Sequence, residues 1–460
     1  MEILKIVIIG GGFSGAMTAY HLLRQEHVAC AVTVVEPNEL GLGLAYSTPC
    51  AEHLLNVCAG GMSALLDEPD HFFNYAKEKD PTVQITDFLP RKFFGKYVQE
   101  LLSSAVSEKA DFHSFDLVSQ RAVDIEDVES RGLKVFLSNG QALEADIAVL
   151  ALGNLAGGKP AWLDQLPMTN THYIHNPWNK VAIDTIQKTD SVLLVGTGLT
   201  AVDKVIELTV GGHVGPILAA SRHGLLPRRH LDIPDVHPQQ VNLNGDRQWQ
   251  NSALEALKYV RQLASQAAHW QAGVDSVRSI TQKWWGNLAL AEKRNFMRHL
   301  QTYWDVHRHR MAPWIANQIE ATEKSGQLRI LSGGIKRLCA NDQSKIEVTI
   351  QERYLEPQTF LVDYVINCTG PQLKLKAIDS PLMANLHKRG LIAPDQTGAG
   401  INCEASGMIR DQQGQLNPRL FAIGPQLKAV LLESVAVPEL KGQAQELARL
   451  VCNMQETATA

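Results

Sequence analysis

The chain has 460 residues, of which 45% are hydrophobic and 20% charged, a composition that suits a folded protein with more than one core and about three domains. A net charge of −5 supplies no broad basic field for nucleic acid, and no apolar run reaches the roughly 18 residues of a spanning helix. Seven scattered cysteines without a CxxC pair argue against a disulfide framework, a zinc site or a dithiol redox centre.

The apolar start "MEILKIVIIGGG" is too short for a secretory core, so a cytoplasmic protein is expected. Lys5–Ile9 reads as a strand buried on both faces. The turn Gly10-Gly11-Gly12-Phe13-Ser14-Gly15 follows at once, then a helical pattern, then the strand "AVTVVE". Strand, GxGxxG turn, helix and strand together predict a dinucleotide site. Gly10 allows the tight turn, Gly12 lets backbone approach a pyrophosphate, and Gly15 lets helix pack on strand. Glu36 stands 21 residues past Gly15, at the end of the second strand. Its carboxylate suits a free ribose diol and repels a 2′-phosphate, which points to FAD.

"EADIAVLALGN" predicts a buried strand ending at Gly153, and "GNLAGGKPAW" is a Gly/Pro connection. The dinucleotide pattern then recurs. "DSVLLVG" is the strand, Gly196-x-Gly198-x-x-Ala201 the turn, "AVDKVIELTV" the helix and "GPILAASR" the next strand. Alanine at the third position still permits close packing. Here the residue 21 positions past Ala201 is Arg222, with His223, Arg228 and Arg229 close behind. A guanidinium can grip a phosphate at two points, so the second site reads as NADPH, with NADH possible.

Residues 231–325 exceed a minimal nucleotide domain and predict a helical insertion over the cleft. Phe296, Leu300 and Trp304 make one helical stripe, and His299, Tyr303 and His307 an adjacent one. Pro313 is expected to close that helix, and Arg308 to stack on Trp304. His307 and His309 lie two apart and share no helix face, so no metal is expected. "LVDYVINCTG" and "NPRLFAIGP" predict two more strands, ending at Gly370 and Gly424. A helix starts near Val437, and the tail "NMQETATA" reads as frayed.

The order of these motifs resembles the flavoprotein superfamily with two dinucleotide domains, which includes flavin monooxygenases and pyridine-nucleotide–disulfide reductases. The resemblance implies an α/β fold: two Rossmann-like domains, the NAD(P) domain inserted into the FAD domain, plus the helical cap. Residues 1–157 and 371–460 would form the FAD domain, and 170–370 the NAD(P) domain. "GLGLAYSTPCAEHLLNVCAGGMSAL", "FLPRKFFGKYV", "SRHGLLPRRH" and "FMRHLQTYWDVHRHRMAP" are further similar to a bacterial family of FAD/NAD(P)-binding proteins related to a flavin-dependent urate hydroxylase.

By position, the resemblance places Gly43, Tyr46, His53 and Asn56 on a loop that approaches the flavin, and Val123 on the strand that meets the adenine. It places Val437 where a helix N-terminus faces the flavin pyrimidine. Pro425 stands where the superfamily has an acid.

Two different dinucleotides imply hydride transfer from NADPH to FAD. The expected activity is hydroxylation of a small molecule with O₂ through a flavin C4a-hydroperoxide. Asn56, His307 and Arg310 are the candidates for tuning it. An NADPH-flavin oxidase or dehydrogenase, and a non-enzymatic FAD-binding redox protein, are the alternatives.

Overall fold

The computed structural model describes residues 3–128, 132–163, 166–231, 251–341, 345–352 and 355–459. Residues 232–250 of the expected insertion lie outside the described residues. The architecture is mixed α/β, with two largely parallel sheets of the Rossmann type, a small antiparallel sheet and a helical cap.

The first sheet has six strands. In spatial order they are Met408–Arg410, Leu416–Ala422, Ile147–Leu150, Leu4–Ile9, Cys30–Val35 and Ser114–Val118. All neighbours pair in parallel except the edge strand Met408–Arg410. The central strands are β-branched runs buried on both faces, as parallel sheets require. One face packs on the helices Phe13–Leu22, Arg91–Glu108 and Val437–Thr459, and the other carries a separate core. The C-terminal helix thus returns to the N-terminal one. It also runs on to Thr459, where the tail was expected to fray, because Ala444, Leu447, Ala448 and Val451 anchor its inner stripe.

The second sheet has seven strands, in the order Gln358–Val362, Ile346–Glu352, Leu328–Ala340, Ile217–Ser221, Val192–Val195, Tyr364–Asn367 and Tyr173–Ile174. The strand expected over 361–370 is two strands on different parts of this sheet. Asp363 makes the break: its carboxylate accepts from Ser191 N–H and Oγ at 2.8 and 2.6 Å and pairs with Lys345.

The described part of the insertion forms the cap helices Ala253–Gln266, Trp270–Asp275, Arg278–Asn287, Leu290–Asn295 and Gln301–Arg308, with a π-helical turn at Phe296–Leu300. Its core is Trp285, Phe296, Trp304 and neighbours, so the expected apolar stripe is buried. Pro313 does not close the preceding helix, which ends at Arg308. It opens the helix Pro313–Lys324, where its missing N–H costs nothing. That last helix packs Ile315 and Ile319 into the core of the second sheet.

Candidate functional site

The first glycine turn lies where Leu4–Ile9 meets Phe13–Leu22. Gly10 has φ +105°, and a Cβ there would fall 2.3 Å from Ala151 O. A Cβ on Gly15 would fall 1.9 Å from Gly10 O, so the third glycine is set by helix–strand approach. Gly12 caps the helix without a side-chain bond, and the first helical bond runs from Ala16 N–H to Gly12 O at 2.9 Å. The amides of Phe13, Ser14 and Gly15 therefore head the helix with no partner inside it. Only Gly43 lies within 4 Å of a Cβ placed on Gly12. Bare backbone at an uncapped N-terminus is a cradle for phosphate.

Glu36 directly follows the strand Cys30–Val35 and is buried. Its Oε2 accepts from Gly11 N–H at 2.8 Å, and its Oε1 from Asn38 N–H and Nδ2 at 2.9 and 3.1 Å. Three bonds fix the carboxylate without exhausting its acceptor sites, of which an ionised carboxylate has about four. The following loop folds back through Gly41 N–H to Gly11 O at 2.7 Å, which brings Gly43 against Gly12. Tyr46 faces inward and packs on Phe94, and burial raises its pKa.

Gly153 and Gly424 end two neighbouring strands at the same edge, both with positive φ. Gly424 faces Ser14: a Cβ on it would lie 3.3 Å from Ser14 Oγ. Gln426 donates to Gly153 O at 2.9 Å, and Gln443 accepts from Gly424 N–H at 3.3 Å. Among the described residues, the buried atoms Gln426 Oε1 and Gln443 Nε2 beside this edge, and Ser434 Oγ, have no hydrogen-bond partner. Ser434 lies just before Val437, at the head of the C-terminal helix. Orphaned polar atoms at a strand edge fit a missing polar ligand. The residues present thus fit FAD. Sequence reasoning missed Gln426, Gln443 and Ser434, because nothing in their spacing separates them from ordinary surface polars.

Val123 lies where the strand Ala122–Asp127 breaks register with its neighbour, and its carbonyl accepts from Asn385 Nδ2 at 2.9 Å.

The second turn repeats the first with one change of charge. Gly196 has φ +120°, and a Cβ there would meet Cys368 O at 2.4 Å. Ala201 is a buried residue in the first turn of the helix Leu199–Val210. Gly198 caps that helix with no side-chain bond, and a Cβ on it would meet nothing within 4 Å. Arg222 is the first residue after the strand Ile217–Ser221 and is exposed, and its guanidinium has no ion-pair partner among the described residues. Thr197 Oγ1 bonds Ser221 Oγ at 2.8 Å and Leu225 O at 2.6 Å, which ties the Arg222 loop to the glycine turn. These groups fit a phosphate-bearing dinucleotide. Tyr303 of the cap reaches His223, with ring centroids 5.5 Å apart. Arg228 joins the cap through its backbone instead, bonding Val306 O and Met311 N–H at 2.8 Å each.

Four residues expected near the chemistry have structural partners. His53 is buried, with Nδ1 2.6 Å from Thr48 Oγ1 and Nε2 3.0 Å from Asp203 O on the second unit. Burial lowers its pKa, so it is a neutral bridge between the units. Asn56 accepts through its carbonyl from His230 Nε2 at 2.9 Å. His307 bonds Tyr303 O at 2.8 Å and packs its ring edge-on to Trp270. Arg310 is buried, with both terminal nitrogens on Asp275, Nε on His307 O at 2.7 Å, and its plane over Trp270. The geometry therefore engages Arg310 inside the cap. Arg308 does not stack on Trp304. The two converge on Glu433, with Arg308 Nε at 3.0 Å and Trp304 Nε1 at 3.2 Å from Oε1. Among the described residues no group of three or more potential ligands could hold a metal ion, and no helix is long and apolar enough to cross a membrane.

Comparison with known proteins agrees with this layout. A curated relative, the uncharacterized protein YdhS of Escherichia coli (strain K12), is 24% identical over 220 residues, covering 45% of this chain and 39% of that protein. The chain thus matches about two fifths of that relative's length. Three solved structures share the fold across nearly the whole chain. Ornithine hydroxylase PvdA of Pseudomonas aeruginosa aligns with TM-score 0.66 at 14% identity, over 99% of this chain and 100% of its own. The FAD-bound cadaverine monooxygenase DfoA of Erwinia amylovora gives 0.65 at 13%, over 98% and 95%. Ornithine N-hydroxylase KtzI of Kutzneria, with reduced FAD, NADP⁺ and L-ornithine, gives 0.62 at 13%, over 99% and 100%. In sequence, residues 7–155, which carry the first glycine turn, Glu36 and Gly153, match a family model described as FAD-NAD(P)-binding.

Proposed function

We propose that the chain is an NADPH-dependent FAD oxidoreductase of the monooxygenase type, hydroxylating a small molecule with O₂. One observation carries this reading: two glycine cradles of the same build end their second strands in opposite charges, buried Glu36 and exposed Arg222. The fold shared with flavin hydroxylases supports it. The finer kinship with the urate hydroxylase family rests on the sequence motifs.

Bound FAD would accept hydride from NADPH and activate O₂. The chain's own residues bind and orient. The Phe13–Leu22 helix head would hold the FAD pyrophosphate, Glu36 the adenosine ribose, and Gln426 the polar edge near Gly424. Arg222 would hold the 2′-phosphate of NADPH, with Gly198 giving its pyrophosphate access. The Arg91–Asp203 and His53–Asp203 contacts keep the two cradles in register.

The test is anaerobic addition of NADPH to FAD-loaded protein, followed by rapid mixing with O₂. Bleaching of the flavin and then a transient near-ultraviolet band, distinct from oxidised flavin, is the expected result. Bleaching without the band, and with peroxide formed in full yield whatever candidate substrate is added, would assign an oxidase instead. Failure of NADPH to bleach the flavin would overturn the proposal.

A further inference from the structure

One cavity among the described residues lies away from both glycine turns. It occupies about 760 Å³ between the cap helix Arg278–Asn287 and the flank of the C-terminal helix. That size lies within the range of small-molecule sites, roughly 300–1,000 Å³. Its apolar floor includes Ile423, Leu427 and Leu431, and Gln443 and Glu433 contribute to its walls. Ile423 and Gln443 adjoin Gly424, so the cavity borders the edge assigned above to FAD.

Gly442 also lines the cavity. It sits inside the C-terminal helix, where glycine costs about 1 kcal/mol against alanine. A Cβ there would meet nothing within 4 Å, and its φ is not positive. Neither backbone geometry nor packing requires glycine at this position. What its absent side chain leaves is open space in the cavity wall.

The charges in the wall are balanced before any ligand arrives. Asp275 pairs with Arg310 and Arg308, Glu433 with Arg308, Glu439 with Arg278, and Glu446 with Arg449. Each of the four carboxylates is thus paired with a guanidinium, of which Arg278 itself lines the cavity, and a charged ligand would find no unpaired counter-charge. The unsatisfied group is a donor: among the described residues, Gln443 Nε2 is buried without a partner.

We infer that this cavity binds an uncharged small molecule with an apolar body and a carbonyl-type acceptor, held by Gln443 and admitted by Gly442. The inference deepens the monooxygenase reading, since the cavity would present that molecule beside the flavin, and it rests on that reading for its role. It separates this site from the diamine and amino-acid substrates named for the fold relatives.

The test uses FAD-loaded full-length protein, with binding read by thermal shift and by flavin difference spectra, without turnover. The probes are benzamide and uracil as neutral carbonyl compounds, cadaverine as a dication and benzoate as an anion. Saturable binding of a neutral probe is expected, at least tenfold weaker in Gly442→Leu and intermediate in Gly442→Ala. Both variants should keep FAD and melt no lower than the parent without ligand. Neutral binding unchanged in Gly442→Leu, preference for cadaverine or benzoate, or no binding of either neutral probe would overturn the inference. Because no turnover is measured, any of these outcomes leaves flavin reduction by NADPH standing as a separate result.

Discussion

Arg91 and Asp203 form a two-point ion pair across the seam between the two dinucleotide units. Nη1 lies 2.7 Å from Oδ2 and Nη2 2.9 Å from Oδ1. Asp203 belongs to the helix that starts at Gly198, and Arg91 opens a helix packed on the first sheet. The Asp203 carbonyl receives His53 in addition. The side chains are 16% and 7% exposed, so the pair is largely removed from solvent. Removing one partner of such a pair strands a charge, at a typical cost of about 3 kcal/mol or more. Arg91→Ala should therefore lower stability by roughly that amount in urea titration. Arg91→Ala with Asp203→Ala should be less destabilised than Arg91→Ala alone. An additive double mutant would show that the pair is not coupled.

Arg222 has no ion-pair partner among the described residues, so replacing it leaves no charge stranded. Arg222→Glu should weaken NADPH binding by about 10- to 100-fold, from the roughly 1.5–3 kcal/mol of a charge-assisted hydrogen bond. NADH binding should change little. Initial-rate KM values for the two nucleotides check this; equal losses for both would move the 2′-phosphate site elsewhere.

Gly198 separates folding from cofactor binding. A Cβ at this position would have no atom within 4 Å, so Gly198→Val should cost at most about 1 kcal/mol, the scale of a weakened N-cap. It should nevertheless abolish measurable NADPH binding while FAD stays bound. Retained NADPH reduction of the flavin would show that nothing approaches the backbone there.

His230 connects pH to stability. Burial, reinforced by the nearby Arg310 charge, lowers its pKa to about 4, and its Nε2 bonds Asn56 O. The unfolded chain binds the proton near pH 6.5 and the folded chain only near 4, so the unfolded state holds more protons between those values. Stability from this group is complete above about pH 6.5 and is lost as pH falls toward 4, by up to about 3 kcal/mol. His230→Gln, whose amide can still donate to Asn56, should flatten the fall in melting temperature over that window. An unchanged slope would assign the acid sensitivity to other groups, such as His53.

Much of the fold was legible from local pattern. The strand Leu4–Ile9 and its glycine turn could be read because a parallel strand and its turn are short and their chemistry is local. The same held for Val192–Val195 and Gly196. The break at Asp363 was not legible, since it depends on Ser191 and Lys345, both distant in sequence. Pro313 was misread as a stop, because proline flanks helices at both ends and only the backbone shows which.

What the sequence alone determined is the pair of cradles and the charge that distinguishes them: glycine positions and strand-end residues act within one supersecondary unit. What only the tertiary structure decided is how those units work together. His53 and Arg310 are the residue types that chemistry uses, yet Asp203 and Asp275 engage them in structure. Gln443 and Gly442 looked ordinary and instead face a cavity. The reason is physical. A side chain's role follows from its burial and its partners, and those partners are brought together by packing across long stretches of chain.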